Sequence, residues 1–192
     1  VAETQLPRPD QSGAVIVISG WRQVGKTTLL LSLRETALQA GLSVGGFLSL
    51  ACFEAGTKTG IDLMDAATGT RLPLATFGGE GPVRTGHYGF DPQALEHGLR
   101  CAEAGQGADV FFVDELGPLE LKRGEGWAAV IPMLRARTYG VALVVVRPEL
   151  VDLARDQIDL PPDLIVLTVT EDNRDVLLAS LTEWLAAFRP EK

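Results

Sequence analysis

Apolar residues along the chain fall into short continuous runs rich in Val, Ile and Leu, and longer stretches where they recur every three or four positions. The runs Ala14 to Ser19, Val44 to Leu50, Val110 to Val113, Val141 to Val146 and Leu164 to Val169 predict buried strands. Lys26 to Ala40 carries Leu29, Leu30, Leu33, Ala37 and Leu38 at helical spacing and is closed by Gly41. Asp91-Pro92 supplies a capping side chain and a proline at the first helical position for a helix running to about Ala104, before Gly105. Gly126 to Arg137 reads as helical despite Pro132, Pro148 to Asp156 as a short helix, and Thr170 as the cap of a last helix reaching about Phe188. Lys58 to Asp65 and Thr70 to Thr76 flank the turn-like Ala66-Ala67-Thr68-Gly69 and read as a hairpin. Buried strands separated by amphipathic helices predict an α/β fold: a mostly parallel sheet with helices on both faces and an inserted β-hairpin. Residues 1–13, with Pro7, Pro9, Asp10, Ser12 and Gly13 and no apolar period, are expected to form a flexible arm ahead of a single domain spanning 14–190.

Composition changes this picture little. With 192 residues, 46% hydrophobic and 22% charged, a fold of this kind buries about 70% of its extended-chain surface and needs no disulfide or structural metal. The longest apolar runs, such as Val141 to Val146, fall far short of the roughly 20 residues that cross a bilayer, and no charged-then-apolar leader opens the sequence. A soluble protein without a membrane role is expected. The net charge of −8 and the absence of a basic run argue against a nucleic-acid partner. Cys52 and Cys101 form neither CxxC nor a zinc spacing; they read as small core residues in a reducing cytoplasm.

The chemistry begins at Gly20-Trp21-Arg22-Gln23-Val24-Gly25-Lys26-Thr27, which fits GxxxxGK[ST] between an apolar run and a helix. Glycines let the backbone curl so that successive N–H groups and the positive helix end face nucleotide phosphates. Lys26 bridges β- and γ-phosphate oxygens, the Thr27 hydroxyl is a hard oxygen ligand for Mg²⁺, and Thr28 either approaches the α-phosphate or simply continues the helix. Trp21, Arg22 and Gln23 occupy positions that are often small or proline; Trp21 stacks on a nucleotide or partner, or packs against a neighbouring loop.

Downstream, Phe111-Phe112-Val113-Asp114-Glu115 is an apolar run ending in two acids, where an open α/β sheet places its ligand chemistry. Asp114 is the expected Walker B acid, holding Mg²⁺ directly or through water, and Glu115 the base that polarises the attacking water. An acid directly after the Walker B Asp is usual in additional-strand P-loop ATPases, which carry another strand between the phosphate-loop strand and the Asp strand. Transition-state charge calls for a further cation. Lys58, Arg84, Lys122, Arg123, Arg147 and Arg174 are candidates, with Lys58 and Arg147 favoured as catalytic because they fall at the crevice edge. His87 and His97 have no partner at metal spacing.

The phosphate loop through Leu29, Gly46-Phe47, Gly60-Ile61-Asp62, Thr68-Gly69, Leu74-Ala75, Gly86-His87-Tyr88, Val113-Asp114-Glu115-Leu116-Gly117-Pro118-Leu119-Glu120-Leu121 and Thr170-Glu171-Asp172-Asn173-Arg174 occur in that order. Together they resemble the THEP-type, or cancer-related, nucleoside-triphosphatase family over most of the chain. The resemblance implies a RecA-like P-loop fold and slow, Mg²⁺-dependent hydrolysis of nucleoside triphosphates such as ATP or GTP, with broad nucleotide tolerance. It implies that Gly20 to Thr27 bind phosphates, that Glu120 supports the following loop, and that Asn173-Arg174 sit near the nucleobase. Asn173-Arg174 read equally well as the first turn of a capped helix. The sequence departs from the pattern at Ala51 and Phe53, where the family usually has Glu and Arg, leaving Lys58 as the basic group of that loop. Two other readings stand beside hydrolysis. One is a small P-loop nucleoside or nucleotide kinase, although its usual arginine-rich lid is represented here only by Lys58, Arg71 and Arg84. The other is a binding module in which very slow hydrolysis times the association of an unknown protein partner.

Overall fold

A computed structural model describes residues 6–161 and 164–189; residues 1–5 of the expected arm and the end of the expected domain at 190 lie outside the described residues. In chain order the elements are β1 (Ala14–Ser19), α1 (Lys26–Gln39), β2 (Val44–Glu54), β3 (Thr57–Asp65), β4 (Arg71–Phe77), β5 (Val83–Thr85), β6 (Tyr88–Phe90) and α2 (Pro92–Ala104). There follow β7 (Val110–Leu116), α3 (Pro118–Arg123), α4 (Val130–Ala136), β8 (Val141–Val146), a 3-10 turn (Pro148–Leu150), α5 (Val151–Ile158), β9 (Ile165–Thr168) and α6 (Arg174–Ala187).

The strands form one sheet in the order β5-β6-β4-β3-β2-β7-β8-β1-β9. The five strands β2, β7, β8, β1 and β9 pair in parallel, and β3, β4, β6 and β5 extend the sheet antiparallel from β2. β8 lies between the phosphate-loop strand β1 and the Asp114 strand β7. Successive side chains of a strand point to opposite faces. Val15 and Val17 of β1 accordingly join a core with α2, α4 and α5, whereas Ile16 and Ile18 join a core with α1 and α6. Both faces are therefore covered, which is why the central strands read as unbroken apolar runs. The C-terminal end of α2 reaches the sheet only because glycines meet there: a Cβ on Gly45 would lie 2.4 Å from the Gly105 Cα.

The inserted region is larger than a hairpin. β2 continues to Glu54, β3 pairs along it from Thr57 to Asp65, and β5 and β6 add two further strands of three residues each. The helix expected from Gly126 starts only at Val130, because the preceding turn is fixed from within the core. Its Trp127 is buried, donates its indole N–H to the Leu95 carbonyl (3.0 Å) and packs on Phe47. The last helix begins at Arg174 instead of directly after Thr170. Thr170 and Asn173 instead clasp each other, the Thr170 N–H donating to Asn173 Oδ1 (2.8 Å) and the Asn173 N–H to Thr170 Oγ1 (3.2 Å). Within the described part of the N-terminal segment, the Pro7 carbonyl accepts the Trp184 indole N–H (2.7 Å) and the Pro9 carbonyl the Arg189 N–H (2.8 Å). No helix among the described residues is long and apolar enough to cross a membrane.

Candidate functional site

The parallel strands deliver their C-terminal ends to one edge of the sheet, the edge where open α/β sheets bind ligands. β1 runs out at Ser19 into the loop Gly20 to Gly25, and α1 starts at Lys26. The turn into α1 depends on Gly25 in the left-handed region (φ 93°), where the Arg174 side chain lies against it: a Cβ there would be 2.8 Å from Arg174 Cδ and 2.9 Å from Nη1. The Lys26 ammonium is buried under the loop and donates to the carbonyls of Gly20 and Trp21, both at 2.7 Å. Burial lowers its pKa, and the carboxylates of Glu115 and Asp114 work against that shift.

The Thr27 hydroxyl donates to Asp114 Oδ2 at 2.8 Å, joining the start of α1 to the end of β7. Asp114 is 2% exposed. Burial pushes its carboxyl up to about 7, against the hydrogen bond from Thr27 and with the help of neighbouring Glu115. Ser49 on β2 was not anticipated from sequence: its N–H donates to Asp114 Oδ2 (3.3 Å) and its hydroxyl to the Asp114 carbonyl. The signal was a lone serine inside the apolar run Val44 to Leu50. A buried carboxylate and a hydroxyl converging on one point are hard oxygen donors suited to a divalent cation. Among the described residues there is no group of three or more His, Cys, Asp or Glu that could hold a metal ion.

Glu115 points to the neighbouring strand end. Its Oε1 accepts from Arg147 Nε at 2.5 Å, with the two side chains 32% and 24% exposed. The β7–β8 pairing skips from Val113–Val144 to Leu116–Val146, leaving Asp114 and Glu115 out of register with β8. Lys58, on β3, stands over the Tyr88 ring (5.0 Å to its centroid). Burial lowers its pKa, Glu115 raises it, and Arg22 and Arg147 lower it, which puts all four charges within electrostatic reach of one another. Arg147 thus pairs with Glu115, and Lys58 lies within electrostatic reach of it. Arg123 is engaged elsewhere: at the C-terminal end of α3 it donates to the Arg84 carbonyl (2.8 Å) and pairs with Glu125.

Trp21 is 73% exposed and so does not pack against a neighbouring loop. Thr28 is exposed on the first turn of α1. Asn173 spends its side chain on backbone, accepting from Thr170 N–H and donating from Nδ2 to the Thr168 carbonyl (2.9 Å), whereas Arg174 lies along the phosphate loop. Glu120, buried in α3, accepts the N–H of Gly117 (2.9 Å) and of Trp127 (3.3 Å), tying both ends of the segment after Glu115. Burial raises its pKa and those N–H bonds oppose the rise. A cavity of 490 Å³ bordered by Ser43, Asp65, Thr68 and Cys101 opens at the other edge of the sheet, where β2 and β7 begin.

The model of the NTPase family matches residues 15–182. A protein of Methanopyrus kandleri named nucleoside-triphosphatase THEP1 is 35% identical over 178 residues, covering 88% of this chain and 96% of that protein. The protein of the same name from Ignicoccus hospitalis is 31% identical over 177 residues, covering 91% and 98%. The solution structure of a human cancer-related nucleoside triphosphatase superposes with a TM-score of 0.67 at 26% identity, covering 92% of this chain and 99% of that one. The crystal structure of THEP1 from Aquifex aeolicus superposes with a TM-score of 0.62 at 23% identity, covering 89% and 98%.

Proposed function

The chain belongs to the NTPase family and is a nucleoside-triphosphatase, and we propose that it hydrolyses nucleoside triphosphates to diphosphates and phosphate with Mg²⁺ and broad tolerance of the base. The observation that carries this reading is the 2.8 Å contact of Thr27 with Asp114, which sets the phosphate loop, a cation-binding carboxylate and Glu115 side by side at one strand edge. Gly20 to Thr28 wrap the phosphates, and Lys26 exchanges its two loop carbonyls for β- and γ-phosphate oxygens. Thr27 and Asp114 would hold the cation, which when bound would offset negative charge on the nucleotide phosphates. Glu115 takes a proton from water as the water oxygen bonds to the γ-phosphorus, and the bond from that phosphorus to the bridging oxygen breaks, releasing the diphosphate. Lys58 and Arg147 supply positive charge to the γ-phosphoryl oxygens.

The same reading assigns the fold to the RecA-like, additional-strand class, supported by β8 lying between β1 and β7. It takes 14–190 as one domain. Arg174, alongside Gly25, reaches the nucleotide, and Asn173 acts by shaping the turn that carries it. Two free cysteines suit a reducing cytoplasm, and net acidity disfavours nucleic acid.

Phosphate release from Mg-ATP and Mg-GTP tests the proposal. Glu115→Gln and Lys26→Ala are each expected to lower kcat by at least about 100-fold, the lower end of what a positioned base contributes. Undiminished release by both variants, or a phosphorylated acceptor nucleoside in place of free phosphate, overturns it.

A further inference from the structure

The antiparallel extension carries an aromatic ledge that hydrolysis of a simple nucleoside triphosphate does not use. Leu63, Leu74, Ala75 and Phe90 of its strands join the core under α2, and Ile61 and Tyr88 lie half-buried at the margin of that core. Beyond them the same face is open: Phe53 is 57% and Phe77 55% exposed. The rings form a row. Tyr88 stands edge-on to Phe77 (centroids 5.7 Å apart), Phe77 packs on the exposed His87 (5.5 Å), and the Lys58 ammonium lies 5.0 Å from the Tyr88 centroid. A bulge brings Lys58 into this row. Cys52 pairs with Gly60 but Phe53 with Lys58, so β3 holds one residue more than β2 at that point. In unbroken register Lys58 would stand opposite Glu54; the bulge sets it opposite Phe53 and on the same face.

The ledge leads into the site. Ser49, whose N–H donates to Asp114 Oδ2, precedes Phe53 by four residues on the same face of β2, roughly 13 Å along an extended strand. Lys58 is within electrostatic reach of Glu115 and of Arg22 in the phosphate loop. Arg174, which lies against that loop, follows β9 on the other side of β1, so a base held near Arg174 leaves the ledge to a different ring. Exposed aromatic rings beside a cation are the parts of a base-stacking platform, which accepts any base because every base has a π-face.

We propose that Phe53, Tyr88 and Phe77 stack a second nucleobase, and that the preferred substrate is a pair of nucleosides joined 5′ to 5′ through four phosphates. The proposal rests on the hydrolytic reading above and names a substrate class for the same site. One nucleoside with its three nearest phosphates fills the phosphate loop, Lys58 meets the fourth phosphate, and the second base lies on the rings. The water oxygen bonds to the γ-phosphorus, counted from the loop-bound nucleoside, while Glu115 takes a proton from that water. The bond from this phosphorus to the oxygen it shares with the β-phosphorus breaks. Both products are then nucleoside diphosphates, and the oxygen of water is carried by the one that leaves from the ledge. Stacking at a distance from the reacting phosphorus binds substrate and transition state alike, so it raises kcat/KM through KM.

Diadenosine 5′,5′-tetraphosphate and ATP, each with Mg²⁺ and the intact protein, test this, with products separated by anion-exchange chromatography. The tetraphosphate is expected to show a kcat/KM about tenfold above that of ATP, near the low end of what one base–aromatic stack contributes, and to yield ADP alone. Phe77→Ala is expected to remove the advantage and to leave ATP turnover within about twofold of wild type, as for an exposed side chain outside the site. Phe77→Tyr keeps a ring and is expected to keep the advantage. Affinity is read separately by calorimetry without divalent cation, where Phe77→Ala should weaken the tetraphosphate about tenfold and ATP less than about twofold. Cleavage to ATP and AMP overturns the proposal, because it places the attacked phosphorus elsewhere. So does a Phe77→Ala variant that loses both substrates equally, the mark of a merely structural ring. Absence of ATP turnover in wild type removes the hydrolytic reading itself, whereas normal ATP turnover with no advantage for the tetraphosphate removes the ledge alone.

Discussion

Asp114 shows how burial makes one ionisable side chain costly. Its carboxyl holds a proton up to about pH 7 in the folded protein, against an ordinary value of 3.8. Between those values the folded chain binds more protons than the unfolded one, so stability falls as pH rises through the window and levels off above it. For protein free of nucleotide and divalent cation, raising the pH from 6 to 8 is expected to cost about 1.4 kcal/mol through this group, measured by urea denaturation. Asp114→Asn is expected to remove that part of the decline, and Mg²⁺ at pH 8 to restore stability in wild type but not in the variant. An identical pH response in Asp114→Asn would mean that the burial of this carboxyl is relieved some other way. At this scale the sequence was informative. Gly20, Gly25, Lys26, Thr27, Asp114 and Glu115 are tied to one another by a spacing and a strand–loop–helix context that leave few alternatives. Ser49 was only half legible: a lone serine inside an apolar run marks it, but its partner is 65 residues away and nothing local names that partner.

Elements divide in the same way. The β1–α1 unit and α2 were readable, since a glycine or an Asp-Pro pair marks the boundary within the segment itself. α3, the late start of α4, and the short strands β5 and β6 depend on partners elsewhere in the chain. Trp127 meets the apolar spacing expected of a helix, yet it satisfies that spacing from a turn, because Phe47, Gly98 and the Leu95 carbonyl form its socket. The device that holds α3 against that turn is Glu120, whose carboxylate is shared between Gly117 and Trp127. Glu120→Ala leaves two backbone N–H groups in a buried setting, and the expected loss is about 1–3 kcal/mol for each donor that finds no other partner. Because the clamped segment begins directly after Glu115, turnover is expected to fall with kcat affected more than KM, while Glu120→Gln keeps an acceptor and retains most of the stability. Thermal melts and steady-state phosphate release check both; a Glu120→Ala protein with wild-type melting temperature and kcat would show that the segment is held by α3 packing alone.

At the scale of the molecule, the acidic average of −8 conceals a local cluster in which Lys26, Lys58, Arg22 and Arg147 lie within electrostatic reach of one another, with Glu115 among them. Net charge says little about such a cluster, since it counts residues without regard to which strand ends bring them together. The sheet raises a separate question, because its parallel half and its antiparallel extension meet along one strand, β2. If the extension were a hinged lid, it would unfold separately. Its pairing argues otherwise: β2 contacts β7 through Val44 to Phe47 and β3 through Phe47 to Glu54, so Phe47 belongs to both ladders and to the core that contains Trp127. The second core, on the other face, contains Trp184, whose indole is bonded to Pro7 near the start of the described chain. The two buried tryptophans therefore report on opposite faces of one sheet. In a Trp21→Phe background, which removes the exposed indole, fluorescence from Trp127 and Trp184 and far-UV circular dichroism are expected to give a single coincident urea transition, the signature of one cooperative unit. Further replacement of Trp184 by Phe leaves Trp127 alone to report, and its transition should still follow the dichroism once the stability change is allowed for. An early Trp127 transition with the dichroism of the parallel half retained would instead make the face under α2 and the antiparallel strands a separately unfolding unit.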